Sequence, residues 1–293
     1  MSEQLVYRVG LGAPVPVVHH ALTEAAALRV WLAEHAEVDL PERYAFWGRS
    51  TPAGRQPRQR PLHVDDTSLS FAWPLDDEEI TVNVVLAEES ADTTILSLSW
   101  SPVPPWPELV AETSTRAVLL TYWALSLANL SDHLDGRPLT PRCDFTSPRM
   151  REEFLIGAPA RAVYDSMVDP ATFRRWFGAN VEIEPRVGGR WAMGGLDRDD
   201  SPATIIAMEP GRGMTLAWRD GLVAAWTVED VGGGARLTFE QRDFDERRPP
   251  YGAWMGWLSG LAELRRFHEV PNWRPIVRDL TVPGMPEGLI TND

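Results

Sequence analysis

The sequence predicts an α+β chain built twice from one order of elements: a strand, two short helices, six strands and a long helix. Three observations predict it. Residues 13 to 32, APVPVVHHALTEAAALRVWL, align without a gap on residues 158 to 177, APARAVYDSMVDPATFRRWF, so that Ala13, Pro14, Val18, Leu22, Leu28, Trp31 and Leu32 fall on Ala158, Pro159, Val163, Met167, Phe173, Trp176 and Phe177. The same offset of 145 recurs at LSFAW (69 to 73) against MTLAW (214 to 218), then drifts to 134 where WALSLANL (123 to 130) matches WLSGLAEL (257 to 264). So long a period marks a duplicated domain, because solenoid repeats run about 20 to 50 residues. A length of 293 residues is also that of about two domains.

The second half shows each element plainly. REEFLIGA (151 to 158) alternates as a strand does, and Pro159 opens a helix over ARAVYDSMVD, with Ala162, Val163 and Met167 at helical spacing. Asp169-Pro170 restarts a short helix, ATFRRWF. The runs NVEIEP, GRWAMG, ATIIAM, MTLAW, VAAWTVEDV and ARLTFEQRDF are rich in β-branched and aromatic residues and read as strands. Gly188-Gly189, the stretch 209 to 213 and Gly232 to Gly234 punctuate them as the turns of an antiparallel meander. After Pro249-Pro250, YGAWMGWLSGLAELRRF is helical, with Trp254, Trp257, Leu258, Leu261, Leu264 and Phe267 mainly along one face.

The first half follows the same order with more noise: ALTEAAALRVWLAEHA for the helices, LSFAW, EITVNVVLAEE and TTILSLSWS among the strands, and ELVAETSTRAVLLTYWALSLANLSDHL for the last helix. RSTPAGRQPRQRP (49 to 61) is polar and Pro-rich and is expected to be a mobile loop. The expected organisation is a domain at 5 to 138, a linker at 139 to 149, a domain at 150 to 269 and an extended tail without helix at 270 to 293, anchored by Trp273 and Ile276.

Charge excludes some partners. The net charge is −14, and an acidic surface repels phosphate backbones, so neither nucleic acid nor an anionic membrane is expected. All 28 basic side chains are arginine, which excludes Schiff-base chemistry for want of a lysine. One cysteine, Cys143, allows no intrachain disulfide. No apolar run approaches the roughly 18 residues of a spanning helix, and MSEQLVYRVG lacks the pattern of a signal peptide, so the expected location is cytoplasmic.

With APARAVYDSMVDPATFRRWF, GGRWAM, EPGRGMTLAW, the V-x-x-V-x-x-G-x-x-A-R-L-T-F-E strand pair and YGAWMGWLSGLAELRR, the second half resembles the Hsp90-ATPase-activator-like branch of the START-like (SRPBCC) superfamily. The first half resembles it more distantly, because an ERYAFWG stretch stands where Gly188-Gly189 would be. The resemblance implies two tandem helix-grip domains, each a curved antiparallel sheet wrapped around a long C-terminal helix with a pocket between.

The residues expected to line that pocket in the second domain are Tyr164, Met167, Trp176, Trp191, Met193, Trp218, Trp226, Phe239, Trp254, Trp257, Leu258 and Leu261. Alternation along ARLTFEQRDFDERR puts Gln241 and Asp243 on the side of Leu237 and Phe239, toward the pocket mouth. The same tryptophans would serve equally as ordinary core.

No catalytic group, metal site or cofactor is expected. His19 and His20 are adjacent and point to different faces, while His35, His63, His133 and His268 have no ligand at metal spacing. The DRDD turn around Asp199 lacks the rest of a calcium loop, and no serine or cysteine sits in a nucleophile elbow. Three functions stay open. The leading one is non-catalytic binding of a small hydrophobic or aromatic ligand in the second domain, in stress response or secondary metabolism. The others are an Hsp90-type co-chaperone or interaction module, and a didomain polyketide aromatase/cyclase-like enzyme. The tandem arrangement would also permit an intrachain pseudo-dimer.

Overall fold

The computed structural model describes residues 4–290. In chain order the elements are β1 (Leu5–Leu11), α1 (Val15–Thr23), α2 (Ala25–Trp31), β2 (His35–Asp39), β3 (Arg43–Trp47), β4 (Arg60–Asp65), β5 (Ser68–Leu75), β6 (Glu78–Ser90), β7 (Thr93–Ser101), α3 (Trp106–Ala111) and α4 (Leu119–Leu134). There follow β8 (Met150–Ile156), α5 (Ala160–Val168), α6 (Pro170–Phe177), β9 (Val181–Ile183), β10 (Arg190–Met193), β11 (Ala203–Glu209), β12 (Gly213–Ala217), β13 (Val223–Asp230), β14 (Ala235–Arg242), α7 (Tyr251–Glu269) and β15 (Val277–Thr281). Both halves have a strand, a helix pair, six strands and a long helix, but in the first half the single last helix expected over 108–134 is broken into α3 and α4, where Glu112 enters the left-handed region at φ 50°. The fold is α+β with two large antiparallel sheets.

The chain forms two compact units. The first takes in residues up to Ser147, with Tyr251–Ser259 and Ile276–Met285; the second takes in Pro148–Pro250, Gly260–Pro275 and the residues from Pro286 onward. The last helix therefore contributes its first half to one unit and its second half to the other.

In the first unit a six-stranded sheet runs β15-β1-β7-β6-β5-β4, and β2 pairs with β3 separately. The burial pattern of β7 strictly alternates, with Thr94, Leu96, Leu98 and Trp100 inward. Helix α4 crosses this core: Tyr7 of β1 donates its hydroxyl proton to the Leu120 carbonyl at 2.5 Å, and Trp73 meets the rings of Tyr122 and Trp123 at 5.9 and 6.2 Å. Within the polar segment 49–61, residues 49–56 form turns and bends, and Arg60 and Pro61 begin β4. Ser50 and Thr51 are buried in it, and Gln59 accepts the Phe46 N–H at 3.1 Å, which returns backbone polarity that an open loop would leave to water.

In the second unit a seven-stranded sheet runs β8-β14-β13-β12-β11-β10-β9. Helix α6 has the cap its sequence promises: the Asp169 carboxylate accepts the Thr172 N–H at 2.8 Å, Pro170 takes the first turn, and Gly178 ends the helix at φ 71°. Gly189 is required by a close approach, since a Cβ there would fall 2.1 Å from the Glu184 carbonyl oxygen.

One hydrogen bond shows that the repeat is structural. The Trp31 indole donates to the Ala21 carbonyl at 2.9 Å, and 145 residues later the Trp176 indole donates to the Ser166 carbonyl at the same distance. Both tryptophans are almost wholly buried. In each copy the bond ties the second helix of the pair to the first.

The tail contains no helix among the described residues; residues 291–293 lie outside them. It supplies β15, antiparallel to β1, and Trp273 donates to the Glu263 carboxylate at 3.1 Å while Ile276 is buried. Among the described residues no helix is long and apolar enough to cross a membrane.

Candidate functional site

The inner face of the second unit's sheet is fixed by strand register. Trp226 of β13 stands opposite Met214 of β12 and Phe239 of β14, and Phe239 stands opposite Glu152 of β8. Directly opposed residues share a face, so Met214, Leu216, Ala224, Trp226, Val228, Leu237, Phe239, Gln241, Met150, Glu152 and Phe154 all project to one side. All but Glu152 are buried, which identifies this as the core side.

Helix α5 lays Tyr164 on that face, its ring 5.6 Å from Trp226. Helix α6 adds Phe173 and Trp176, and Phe173 reaches Trp191 at 6.2 Å; Trp191 in turn meets Trp218 edge-on at 6.2 Å. Met167 has no exposed surface. Thus Tyr164, Met167, Trp176, Trp191, Trp226 and Phe239 are buried in one unit, with Trp218 half-buried beside them. Leu261 is buried in that unit as well, and a Cβ on the neighbouring Gly260 would fall 2.5 Å from the Phe177 ring, so the helix passes close to α6 there.

Other expected residues lie elsewhere. Trp254, Trp257 and Leu258 are buried, but they belong to the part of α7 that is compact with the first unit. Met193 is 41% exposed at the end of β10. Asp243 does not continue the inward alternation of Leu237, Phe239 and Gln241, because β14 ends at Arg242 and Asp243 turns into the left-handed region at φ 64°. Its carboxylate accepts from the exposed Arg242 guanidinium at 2.5 Å.

Two polar atoms on the inner face have no hydrogen-bond partner. They are the Trp226 indole N–H, a donor, and the Gln241 Oε1, an acceptor, and both residues are at most 4% exposed. Buried polar groups are ordinarily paired, so such atoms mark a place where a water or a ligand group would fit. Glu152 stands opposite Phe239 and diagonal to Gln241 on the same face, and burial pushes its carboxyl above the usual range against the opposing influence of Arg149. Glu152 was legible in REEFLIGA as the residue alternating with Phe154 and Ile156, but a carboxylate in a strand reads first as solvent-facing.

Ser166 lies 3.1 Å from His268 Nε2, yet its hydroxyl donates to the Ala162 carbonyl, so the histidine does not draw off its proton. Among the described residues no group of three or more His, Cys, Asp or Glu side chains is placed to hold a metal ion.

Residues 157–269 match the family model described as Activator of Hsp90 ATPase homolog 1-like protein. That segment is similar to this family. The matched, activator-like segment takes in the helix pair α5 and α6, the strands β9 to β14 and the whole of α7. No curated protein matches the chain. Among solved structures, DynU16, a protein from the dynemicin biosynthetic locus, is 18% identical over 92% of this chain and 100% of its own, with a TM-score of 0.38. CV1439 from Chromobacterium violaceum is 22% identical over 42% of this chain and 99% of its own, with a TM-score of 0.34. The Aha1 dimer from Colwellia psychrerythraea is 13% identical over 42% of this chain and 96% of its own, with a TM-score of 0.36. No role follows from likenesses at this level.

Proposed function

We propose that the activator-like domain binds a small hydrophobic or aromatic molecule against the inner face of its sheet and performs no chemistry on it. The observation that carries this reading is the pair of unpartnered buried atoms, Trp226 Nε1 and Gln241 Oε1, set in a wall of Tyr164, Trp176, Trp191 and Phe239. Apolar walls with a few fixed polar groups are the common form of small-molecule sites. A donor and an acceptor on the same face suit a ligand with a hydroxyl or amide on an aromatic body.

Native mass spectrometry of protein purified from its own host tests the reading, with the expected result a co-purifying small molecule. Added aromatic ligands should also quench tryptophan emission and raise the melting temperature, because a ligand selective for the native state stabilises it. A broad apolar panel that leaves both unchanged would refute the reading. The family's own description favours a second one, in which the domain contacts an Hsp90-type chaperone. Stimulation of such a chaperone's ATPase by this protein, with no ligand bound, would put that second reading first.

A further inference from the structure

The first unit holds a polar cleft of about 280 Å³ that no sequence motif foreshadows, lined by Glu34, Arg49, Ser50, Arg142, Cys143 and Asp144. Its charges are unequally satisfied. Arg49 engages Glu34 with Nε at 2.7 Å, with Nη2 at 2.7 Å and with its backbone N–H at 2.8 Å, and this holds the Glu34 carboxyl below the usual carboxylate range. Asp144 accepts from Thr146 N and Oγ1 at 2.8 and 2.6 Å and lies 3.8 Å from Arg49 Nη1. Both acids therefore have their counter-charge and their hydrogen bonds.

Arg142 does not. Its Nη1 donates to main-chain carbonyls at the C-terminus of α2, those of Ala33 at 2.9 Å and of Arg29 and Val30 at 3.4 Å. Among the described residues no carboxylate forms an ion pair with it. Burial pulls its guanidinium below the ordinary range against the opposing influence of Tyr122 and of the Glu34 carboxylate, so the cation is only partly compensated. Ser50, which lines the same cleft, is 8% exposed, and its Oγ has no hydrogen-bond partner. An unpaired hydroxyl lining the same cleft as a partly compensated guanidinium, with about 280 Å³ of room, is the donor set for one planar oxyanion on a small organic molecule.

We propose that this cleft binds a small organic carboxylate through the Arg142 guanidinium and the Ser50 hydroxyl. The guanidinium fork matches a carboxylate in plane, and the hydroxyl supplies a further donor to one of its oxygens. The Cys143 thiol, raised by burial, is a neutral wall. This site is independent of the aromatic face in the activator-like domain.

Benzoate and its neutral isostere benzamide test the proposal by calorimetric titration of the full chain, with inorganic phosphate as a third arm. Benzoate should bind and benzamide should not. Ser50→Ala, which removes a group with no partner in the fold, should weaken benzoate about tenfold, the loss expected for one hydrogen bond to a charged group. Arg142→Gln should abolish binding. Equal binding of benzoate and benzamide, no binding of either, or an unchanged affinity in Ser50→Ala would each overturn the proposal. Phosphate binding more tightly than benzoate would overturn the carboxylate assignment.

Discussion

The Glu112 carboxylate accepts the backbone N–H of Gly252 at 2.8 Å and that of Ala253 at 2.5 Å, across 140 residues of sequence. It thereby caps the N-terminus of α7, where no residue of the helix's own first turn is acidic. Gly252 makes the approach possible, because a Cβ there would lie 2.6 Å from the carboxylate. Glu112 itself is held in the left-handed region at φ 50°.

Burial raises the Glu112 carboxyl above its ordinary 4.5 despite the two N–H donors. A carboxyl raised in the folded state stabilises the fold at low pH, and that contribution is lost as pH climbs through the raised value. Glu112→Gln should therefore gain stability relative to the parent between about pH 4 and pH 7. Denaturant melts at the two pH values check the sign. Glu112→Ala, which leaves both N–H groups without an acceptor, should cost about 1 to 3 kcal/mol.

The twin tryptophans predict equal penalties. Trp31→Phe and Trp176→Phe each remove an indole donor from a buried carbonyl at 2.9 Å while retaining most of the ring. Each should lose about 1 to 2 kcal/mol. Urea melts of the two variants, compared with each other and with the parent, measure whether the copies carry the same load.

Trp226 separates packing from recognition. Trp226→Ala empties a site that is 2% exposed and should cost about 3 to 5 kcal/mol. Trp226→Phe keeps an aromatic ring and gives up only an N–H that has no protein partner, so it should melt within about 1.5 kcal/mol of the parent. On the proposed function it should still lose affinity for hydroxylated aromatic ligands, as fluorescence titration would show.

Cys143 is 3% exposed, and burial raises its thiol far above the usual range. The native protein should resist a thiol-disulfide reagent at pH 8 and react stoichiometrically once unfolded in guanidinium, since the thiolate is the reactive species. The rate of colour release with and without denaturant measures it.

Much of the fold was legible because local chemistry and long-range structure agree. Asp169 and Pro170 announced the start of α6, and the gapless alignment of 13 to 32 on 158 to 177 returned the same helix pair and the same indole hydrogen bond. The site was less legible. Alternation placed Phe239 and Gln241 correctly on the inner face but carried Asp243 along with them, because a left-handed residue just past a strand leaves no mark in a polar run. Helical periodicity gave one face to α7, and nothing in it showed that Trp254, Trp257 and Leu258 would be compact with the first unit. Ser50 and Arg142 come together from a turn segment and from the linker after α4, and segments of that kind carry no period to read.

Strand β15 pairs with β1 through Val6 and Thr281, Tyr7 and Leu280, and Arg8 and Asp279. Strand β1 thus waits for residues 277–281 to be translated before its sheet has its outer strand. A nascent chain lacking residues 277–281 would present β1 as a bare edge, open to pairing with any other extended segment. The sheet that β1 opens is completed only after the whole second sheet has been made, and a truncation that removes residues 277–281 would be felt far earlier in the sequence, at β1.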